Sequence, residues 1–419
     1  LYKNLVKTQF AVQAEVSHPC AELSCTFSLY ALPHPASGKS LSDIENVIRD
    51  TLIEFEQRGV EDDDLLKAKA DMEASFIFGL QSVSGKVSQL AANQTFSNNP
   101  NYIAQDIARY NNVTKEDVMR VFKKYIKDQH GVIMSVVPNG QLSAIASKDN
   151  FVPGPRSAGD GASTSADDIA VRKGVDDFDR SIIPIAGANK AVDIPEMWQH
   201  NFDNGISILG AQSSETPTTS VLLKIPAGHY YNVKNTAGTA GLVASMLKES
   251  TTERSAEEMS KALQKLGSSI YISAGNLYLN INISSLTKNL EATLTLVNEQ
   301  LRAPAFLESE FERLKSNAIQ GALNNRKDAG YLASTAYRQL LNADNIASMP
   351  SSGNEKSLTN ISLDDVKAFY QQQVKPFGGQ LIAVSDLGQA ELTKSLSILE
   401  DWEGKADDLN LSLPEGDGK

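Results

Sequence analysis

The sequence has little cysteine, a deficit of basic residues and no long apolar run. Only two of its 419 residues are cysteine, which excludes a small fold built on disulfide bonds. Acidic residues outnumber basic ones by 51 to 39, and the net charge of −12 argues against a nucleic-acid-binding surface or a polybasic membrane anchor. No apolar run reaches the roughly 18 residues that a transmembrane helix needs. What is left is a globular chain long enough for two or three domains.

The two cysteines, Cys20 and Cys25, do not define a site by themselves. Two residues five apart on one strand face opposite sides, so a bridge needs a turn between them, which residues 19–22 can supply. We expect two unpaired thiols and leave the pairing open. A zinc site made of these two residues is not expected, because no histidine or second cysteine pair lies nearby at ligand spacing.

The strongest internal signal is a repeat. Residues 113–122 return as residues 361–370, and each copy continues into an apolar segment that predicts a strand, at Gly131–Val137 and Gly379–Val384. A period of about 250 residues is too long for a solenoid. It indicates two copies of one domain.

Helix starts and alternating strands define the fold class. Capping boxes begin predicted helices at Thr114, Ser255 and Ser362, and Gly267 ends the helix that Ser255 opens. Residues 277–284 alternate between apolar and polar, which predicts a strand with one buried face. The mixture predicts an α+β fold of two related domains, each a mainly antiparallel sheet packed against helices.

The repeat and a change of composition divide the chain. Residues 141–190 are rich in Gly, Ser, Ala, Asp and Pro and predict a flexible linker. We expect a partial domain at 1–140 that lacks its first strands, a complete second copy at 191–400, and a tail at 401–419. The shorter first copy and the initial Leu1 favour a fragment of a longer protein.

Residue patterns alone show no catalytic constellation. There is no Gly-x-Ser-x-Gly elbow, phosphate-binding loop or dinucleotide fingerprint, and the glycines of 237–241 are explained by close helix packing. The acidic clusters at 61–64 and 308–312 fit first helical turns. No two histidines are close enough to share a helical face, and we expect each of them in a turn or on the surface; they are His18, His34, His130, His200 and His229.

Several segments in order resemble the pitrilysin/insulinase family of inverted-motif zinc metallopeptidases. In the second copy these are residues 198–206, 225–229 and 241–251; in the first copy, residues 76–87 and 99–102 resemble the middle of the family's second domain. The likeness covers nearly the whole chain except the linker and the tail. It implies a fold like that of the mitochondrial processing peptidase, in which four similar domains form two halves around a chamber where unfolded peptides are cleaved.

In the active half of this family, the motif His-x-x-Glu-His and a more distant Glu hold zinc and activate water. The second copy of this chain does not match that motif. One alignment puts Gly241, Ala244 and Ser245 at its His, Glu and His positions, another puts Ala244, Leu247 and Lys248 there, and the distant Glu falls near Gln320. The resemblance therefore implies no catalytic, cofactor-binding or metal-ligating residue in this chain, and zinc only in the parent protein.

The family's second half also supplies an Arg and a Tyr that polarise the scissile carbonyl, and the equivalent positions in the first copy hold Val6 and Gln13. The sequence thus predicts a non-catalytic segment of a pitrilysin-like zinc metalloendopeptidase, spanning part of the second domain and all of a degenerate third. Such a segment forms chamber wall and hinge and is inactive alone.

The resemblance also implies the partners. They are a peptide or unfolded polypeptide substrate and a catalytic half in cis or in trans, with no nucleic acid and no transmembrane segment. One alternative is a non-catalytic partner subunit of a two-chain peptidase. The other is a structural relative, like the core proteins of a respiratory complex, without peptidase activity. A periplasmic or cell-envelope parent is expected from the resemblance, whereas cleavage specificity and oligomeric state are not encoded in any pattern found.

Overall fold

The computed structural model describes residues 1–150 except Glu22 and Ala36, residues 194–411 except Ala343, and positions 179, 181–183, 185 and 187 between them. Most of the predicted linker and the end of the predicted tail therefore lie outside the described residues. None of the helices in the described part is both long and apolar enough to span a bilayer.

The described secondary structure alternates helical runs with strands. The strands are β1 (Ala11–Ser17), β2 (Ser28–Pro33), β3 (Met197–Asn201), β4 (Ser207–Gln212), β5 (Thr218–Ile225), β6 (Ser269–Ala274), β7 (Leu279–Leu286) and β8 (Gln380–Ser385). The helices are α1 (Leu41–Arg58), α2 (Asp62–Gly79), α3 (Val83–Ser97), α4 (Ile103–Asn111), α5 (Lys115–Tyr125), α6 (Thr239–Met246), α7 (Ala256–Leu266), α8 (Leu290–Arg302), α9 (Glu308–Asn325), α10 (Ala329–Asn342), α11 (Glu355–Asn360), α12 (Leu363–Gln373) and α13 (Gln389–Leu396).

The chain forms two compact units, each made of two stretches of sequence. The first unit contains Leu1–Gly59 and Val121–Ile194, and the second contains Val60–Arg120 and Pro195–Lys419. Helices α2 to α4, which belong to the first copy of the repeat, thus fold with the second copy. The domain bounds expected from the sequence stay a prediction.

The second unit is organised around a six-stranded sheet in the order β3-β4-β8-β5-β7-β6. Neighbouring strands are antiparallel except β4 and β8, which run parallel. The prediction of an α+β fold with a mainly antiparallel sheet is confirmed here.

One face of this sheet is buried because the apolar residues of paired strands coincide. Val221 pairs with Ile283 and Leu223 with Ile281, and all four side chains are at most 3% exposed. The apolar stripe of α8 packs into the same core. The alternating apolar residues of the strands and the apolar residues that recur every 3.6 positions in the helix therefore form one cluster. Each such fully buried side chain stabilises the fold by about 1.5–3 kcal/mol.

Helix α7 begins and ends at the residues that its sequence predicts. Both hydrogen bonds of its capping box form between Ser255 and Glu258, and Gly267 ends the helix at φ +57°. A Cβ on Gly267 would lie 2.7 Å from the carbonyl oxygen of Ala70 and 2.8 Å from the Cβ of Ala74, because α2 packs directly against this end of α7. The glycine is therefore required both by its backbone conformation and by the close approach of α2.

The first unit has a smaller core, in which Leu5, Ala11 and Ile44 are buried. Strands β1 and β2 pair with each other in antiparallel register. Where they end, Cys20 and Cys25 form a disulfide bond. The expectation of two unpaired thiols is wrong, because the hairpin continues beyond the strands and brings the two residues opposite each other.

The predicted strand Gly131–Val137 is also wrong, since these residues form no ladder with any described strand. Its repeat counterpart, β8, lies between β4 and β5 and is hydrogen-bonded on both sides. Residues 131–137 have the apolar sequence of a strand but no paired neighbour, and Val132 and Met134 are 99% and 82% exposed. An apolar segment forms a strand only where another strand supplies the hydrogen bonds.

Candidate functional site

In the first alignment, the three positions of the zinc motif lie on α6; in the second, Leu247 and Lys248 directly follow it. Gly241, Ala244 and Ser245 lie on consecutive turns of this helix, and Gln320 lies on α9, which packs against it. The fold thus brings α6 next to α9, the helix that carries Gln320, which the resemblance aligns with the distant Glu of the zinc site.

The side chains at these positions offer no set of metal ligands. Ala244 is buried in the core, and the hydroxyl of Ser245 donates to the carbonyl oxygen of Gly241 at 3.0 Å. In the alternative alignment Leu247 is buried, and the ammonium group of Lys248 lies over the ring of Tyr271. Neither alignment places two imidazoles and a carboxylate on α6 and α9. That these positions bind no metal remains a prediction.

The start of α6 is held by a buried polar pair. Asn232 accepts a hydrogen bond from the N–H of Ala240 at 3.0 Å and so caps the helix from outside it. Its amide nitrogen lies 3.2 Å from Nδ1 of His229, and Nε2 of His229 lies 3.1 Å from the carbonyl oxygen of Met349. These contacts assign the tautomer: Nδ1 accepts from Asn232, and Nε2–H donates to Met349.

Burial lowers the pKa of His229 below its usual value, and the hydrogen bond to Met349 offsets this only in part. The ring is 1% exposed, and it is neutral at neutral pH. Of the expected turn or surface position, His229 has the turn, since it begins the short 3-10 helix His229–Tyr231, but its ring is not on the surface. The other four are exposed or half-buried.

The segment after α6 holds a second polar cluster. Ser250 donates to a carboxylate oxygen of Glu310 at 2.5 Å, while Thr251 donates to Glu299, which also forms an ion pair with Arg254. Glu299 and Ser250 are buried. Two carboxylates near the end of α6 are therefore engaged by hydroxyl and guanidinium groups, which ties this end of the helix to α8 and α9.

A cleft of about 520 Å³ lies elsewhere on the second unit and is lined by residues that include Arg302, Tyr370 and Trp402. The hydroxyl of Tyr370 donates to the carbonyl oxygen of Leu301 at 2.8 Å, and burial raises the pKa of Tyr370 to about 12. This phenol stays protonated at neutral pH and cannot serve as a general base.

The two positions aligned with the helper Arg and Tyr lie in the first unit. Val6 ends a short π-helical turn at Tyr2–Val6, and Gln13 is exposed on β1. The side chain of Gln13 donates to Glu15. Neither residue carries the positive charge or phenol that would polarise a carbonyl group.

Part of the chain has a counterpart of similar fold among solved structures. A crystal structure of a peptidase M16 inactive domain from Pseudomonas fluorescens shares this fold, with a TM-score of 0.50 and 21% sequence identity, over 52% of this chain and 54% of that one. Residues 208–347 match the family model described as insulinase (peptidase family M16). Over these residues the chain is similar to the insulinase family.

Two curated relatives match parts of the sequence. The non-peptidase homolog YmxG of Helicobacter pylori is 25% identical over 194 residues, which is 46% of this chain and 44% of the relative. Mitochondrial-processing peptidase subunit alpha-1 of Dictyostelium discoideum is 27% identical over 107 residues, 26% of this chain and 16% of that protein. The matches thus span less than half the length of each relative.

Proposed function

We propose that this chain is a non-catalytic segment of a pitrilysin-like zinc metalloendopeptidase and that it forms wall and hinge of the chamber that encloses the peptide. The observation that carries the proposal is α6. The helix that the resemblance aligns with the zinc motif presents a glycine, a buried alanine and an internally bonded serine.

The surroundings of α6 support a structural role for it. Asn232 caps its start, and the cluster of Ser250 and Thr251 follows its end, so both ends are held by buried polar contacts. These contacts at both ends support the proposal that α6 is a fixed part of the chamber wall. The names of two similar proteins, an inactive domain and a non-peptidase homolog, agree with this proposal.

The first test is activity of the whole chain with zinc supplied. We expect no cleavage of a fluorogenic unfolded peptide, and we expect the oxidised protein to retain no stoichiometric zinc after dialysis, with affinity no better than micromolar. An intact pitrilysin-family peptidase is the positive control, and elemental analysis measures the metal.

Two results would overturn this proposal. One is peptidase activity that co-elutes with the chain on size exclusion and disappears on chelation. The other is one equivalent of zinc per oxidised chain. Activity that elutes separately from the chain would identify a contaminating peptidase and leave the expected result in place.

A second candidate is a partner subunit that pairs in trans with a catalytic chain. The similarity to a protein named as a subunit of the mitochondrial processing peptidase favours it. Mixing this chain with a polypeptide from the same genome that carries His-x-x-Glu-His tests it. A complex of one copy of each, with peptidase activity above that of the catalytic chain alone, supports the subunit; two separate species on sedimentation would exclude it for that partner.

A further inference from the structure

Three metal-ligating side chains meet at the tip of the β1–β2 hairpin, outside the region of α6. The side chains of Cys20 and Cys25 are joined as a disulfide, and Nδ1 of His18 lies 3.9 Å from the sulfur of Cys20. The ligand atoms of all three residues lie within 4.8 Å of one another, and all three residues are exposed. The expectation that no histidine lies near the cysteines at ligand spacing is wrong, because His18 directly follows β1 at the hairpin tip.

The hairpin holds these residues together without help from the disulfide. The N–H of Ala21 donates to the carbonyl oxygen of Ser24 at 2.9 Å, and the N–H of Thr26 donates to that of Pro19 at 3.0 Å. Strands β1 and β2 remain paired up to Ser17 and Ser28. Opening the disulfide therefore leaves both cysteines at the same hairpin tip as His18.

The spacing suits a tetrahedral metal ion. With zinc–sulfur bonds of about 2.3 Å and zinc–nitrogen bonds of about 2.0–2.1 Å, a tetrahedron separates its ligand atoms by roughly 3.5–3.8 Å. The distance from His18 to Cys20 is already close to this range. The two sulfurs have to separate to reach this range, and breaking their bond allows it. Exposure of the tip leaves the fourth position to water.

We propose that reduction of the Cys20–Cys25 disulfide converts the hairpin tip into a site for one thiophilic divalent cation, held by His18, Cys20 and Cys25. A dithiol supplies the two electrons and two protons: the sulfur–sulfur bond breaks, two thiols form, and the dithiol becomes a disulfide. Metal binding then displaces both thiol protons to solvent and leaves two thiolates and a neutral imidazole on the metal. The disulfide and the metal exclude each other, so the redox state controls the site.

The test uses the full chain, reduced with dithiothreitol and freed of it by anaerobic gel filtration. Cobalt(II) is the spectroscopic probe, and zinc(II) is the competitor. We expect one equivalent of cobalt to bind the reduced chain, with the thiolate charge-transfer and tetrahedral ligand-field bands of a sulfur–nitrogen site, and zinc to displace it. The oxidised chain should show neither band.

Variants separate a three-ligand site from two loose thiols. His18→Ala should weaken cobalt binding about tenfold or more, since even the loss of residues that only support ligands weakens metal binding by about 10–100-fold. Cys20→Ser with Cys25→Ser should abolish the charge-transfer band. His130→Ala removes another exposed histidine of the same unit and should leave binding unchanged.

The proposal is overturned if the reduced chain shows no thiolate–cobalt band, if the oxidised chain binds equally well, or if His18→Ala binds as tightly as the native chain. Circular dichroism of the reduced chain shows whether the fold survives reduction. None of these outcomes bears on peptidase activity, so this proposal and the proposed function can fail independently.

Discussion

At the scale of the residue, His229 and Asn232 form a buried polar pair. Each is buried, and each has its polar atoms paired, so the two form a small network between α6 and the segment around Met349. Buried polar groups contribute little net stability while paired and cost much more when a partner is removed.

Asn232→Ala should lower the free energy of unfolding by about 1–3 kcal/mol, because it leaves the N–H of Ala240 uncapped and Nδ1 of His229 without its donor. Urea denaturation measures the change. Asn317→Ala, at an exposed position on α9, is the control and should stay within about 0.5 kcal/mol of the native chain. Equal effects of the two substitutions would contradict the assignment of Asn232 as the cap of α6.

His229 should make the fold sensitive to acid. Because burial lowers its pKa in the folded state, the unfolded chain binds a proton first as the pH falls. The stability that the neutral ring contributes is therefore present above about pH 6.5 and is lost as the pH falls towards the folded-state pKa. Urea denaturation at about pH 7.5 and about pH 5.5 measures the loss.

His229→Gln removes the titrating group and should reduce the difference in stability between these two pH values. Carboxylates contribute to the acid sensitivity of both proteins, so the comparison of the two differences isolates His229. His200→Gln, at an exposed histidine on β3, is the matched control and should keep the native difference. An unchanged difference in His229→Gln would show that His229 does not carry this sensitivity.

Some of these residue-level contacts could be predicted from the sequence. Capping by Thr114, Ser255 and Ser362 follows from residues three apart, and the structure shows each of these boxes. Burial of His229 depends on residues 120 positions away, at Met349, and no local pattern encodes that contact. His18 and Cys20 are only two residues apart in the sequence, whereas Cys25 comes to lie opposite Cys20 only because the hairpin continues beyond its strands.

At the scale of the element, two glycines differ in whether the packing around them leaves room for a side chain. Gly210 on β4 pairs with Trp198 on β3, and a Cβ there would lie 2.1 Å from Cζ2 of the indole ring. Apart from its two chain neighbours and the backbone of its own helix, Gly241 on α6 has no heavy atom within 4 Å of the place where its Cβ would be. The first glycine is required by packing, and the second is not.

Alanine substitutions at these glycines should therefore change stability in opposite directions. Gly210→Ala should destabilise the second unit by about 1–3 kcal/mol, because the ring of Trp198 must move. Gly241→Ala should stabilise it by about 0.5–1 kcal/mol, because alanine restricts the unfolded chain and favours the helix. The midpoints of urea denaturation measure both effects, provided that the dependence of the unfolding free energy on urea concentration is unchanged. Stability changes of the same sign in the two variants would contradict this account.

The element scale also shows where sequence patterns fail. The alternation in β7 predicts its buried face because β5 and β6 lie on both sides of it. Residues 131–137 have a comparable apolar content but form no ladder with the described strands. Side-chain patterns specify which face of a strand is buried, whereas the partner strand is a property of the whole sheet.

At the scale of the whole molecule, the repeat predicted from the sequence and the compact units of the structure do not coincide. Helices α2 to α4 come from the first copy but fold with the second. Ion pairs of Asp63 with Lys265 and of Glu73 with Lys288 join them to it, at 2.8 and 2.7 Å. Similarity between two segments of the sequence therefore does not determine which segments pack together in one compact unit.

The packing of α2 against α7 also limits which substitutions this contact tolerates. Ala70 and Gly267 are far apart in the sequence, yet a side chain on Gly267 would overlap the backbone of Ala70. Because the overlap is with backbone, no substitution at Ala70 can relieve it. A larger residue at position 267 therefore requires α2 as a whole to move away from the end of α7.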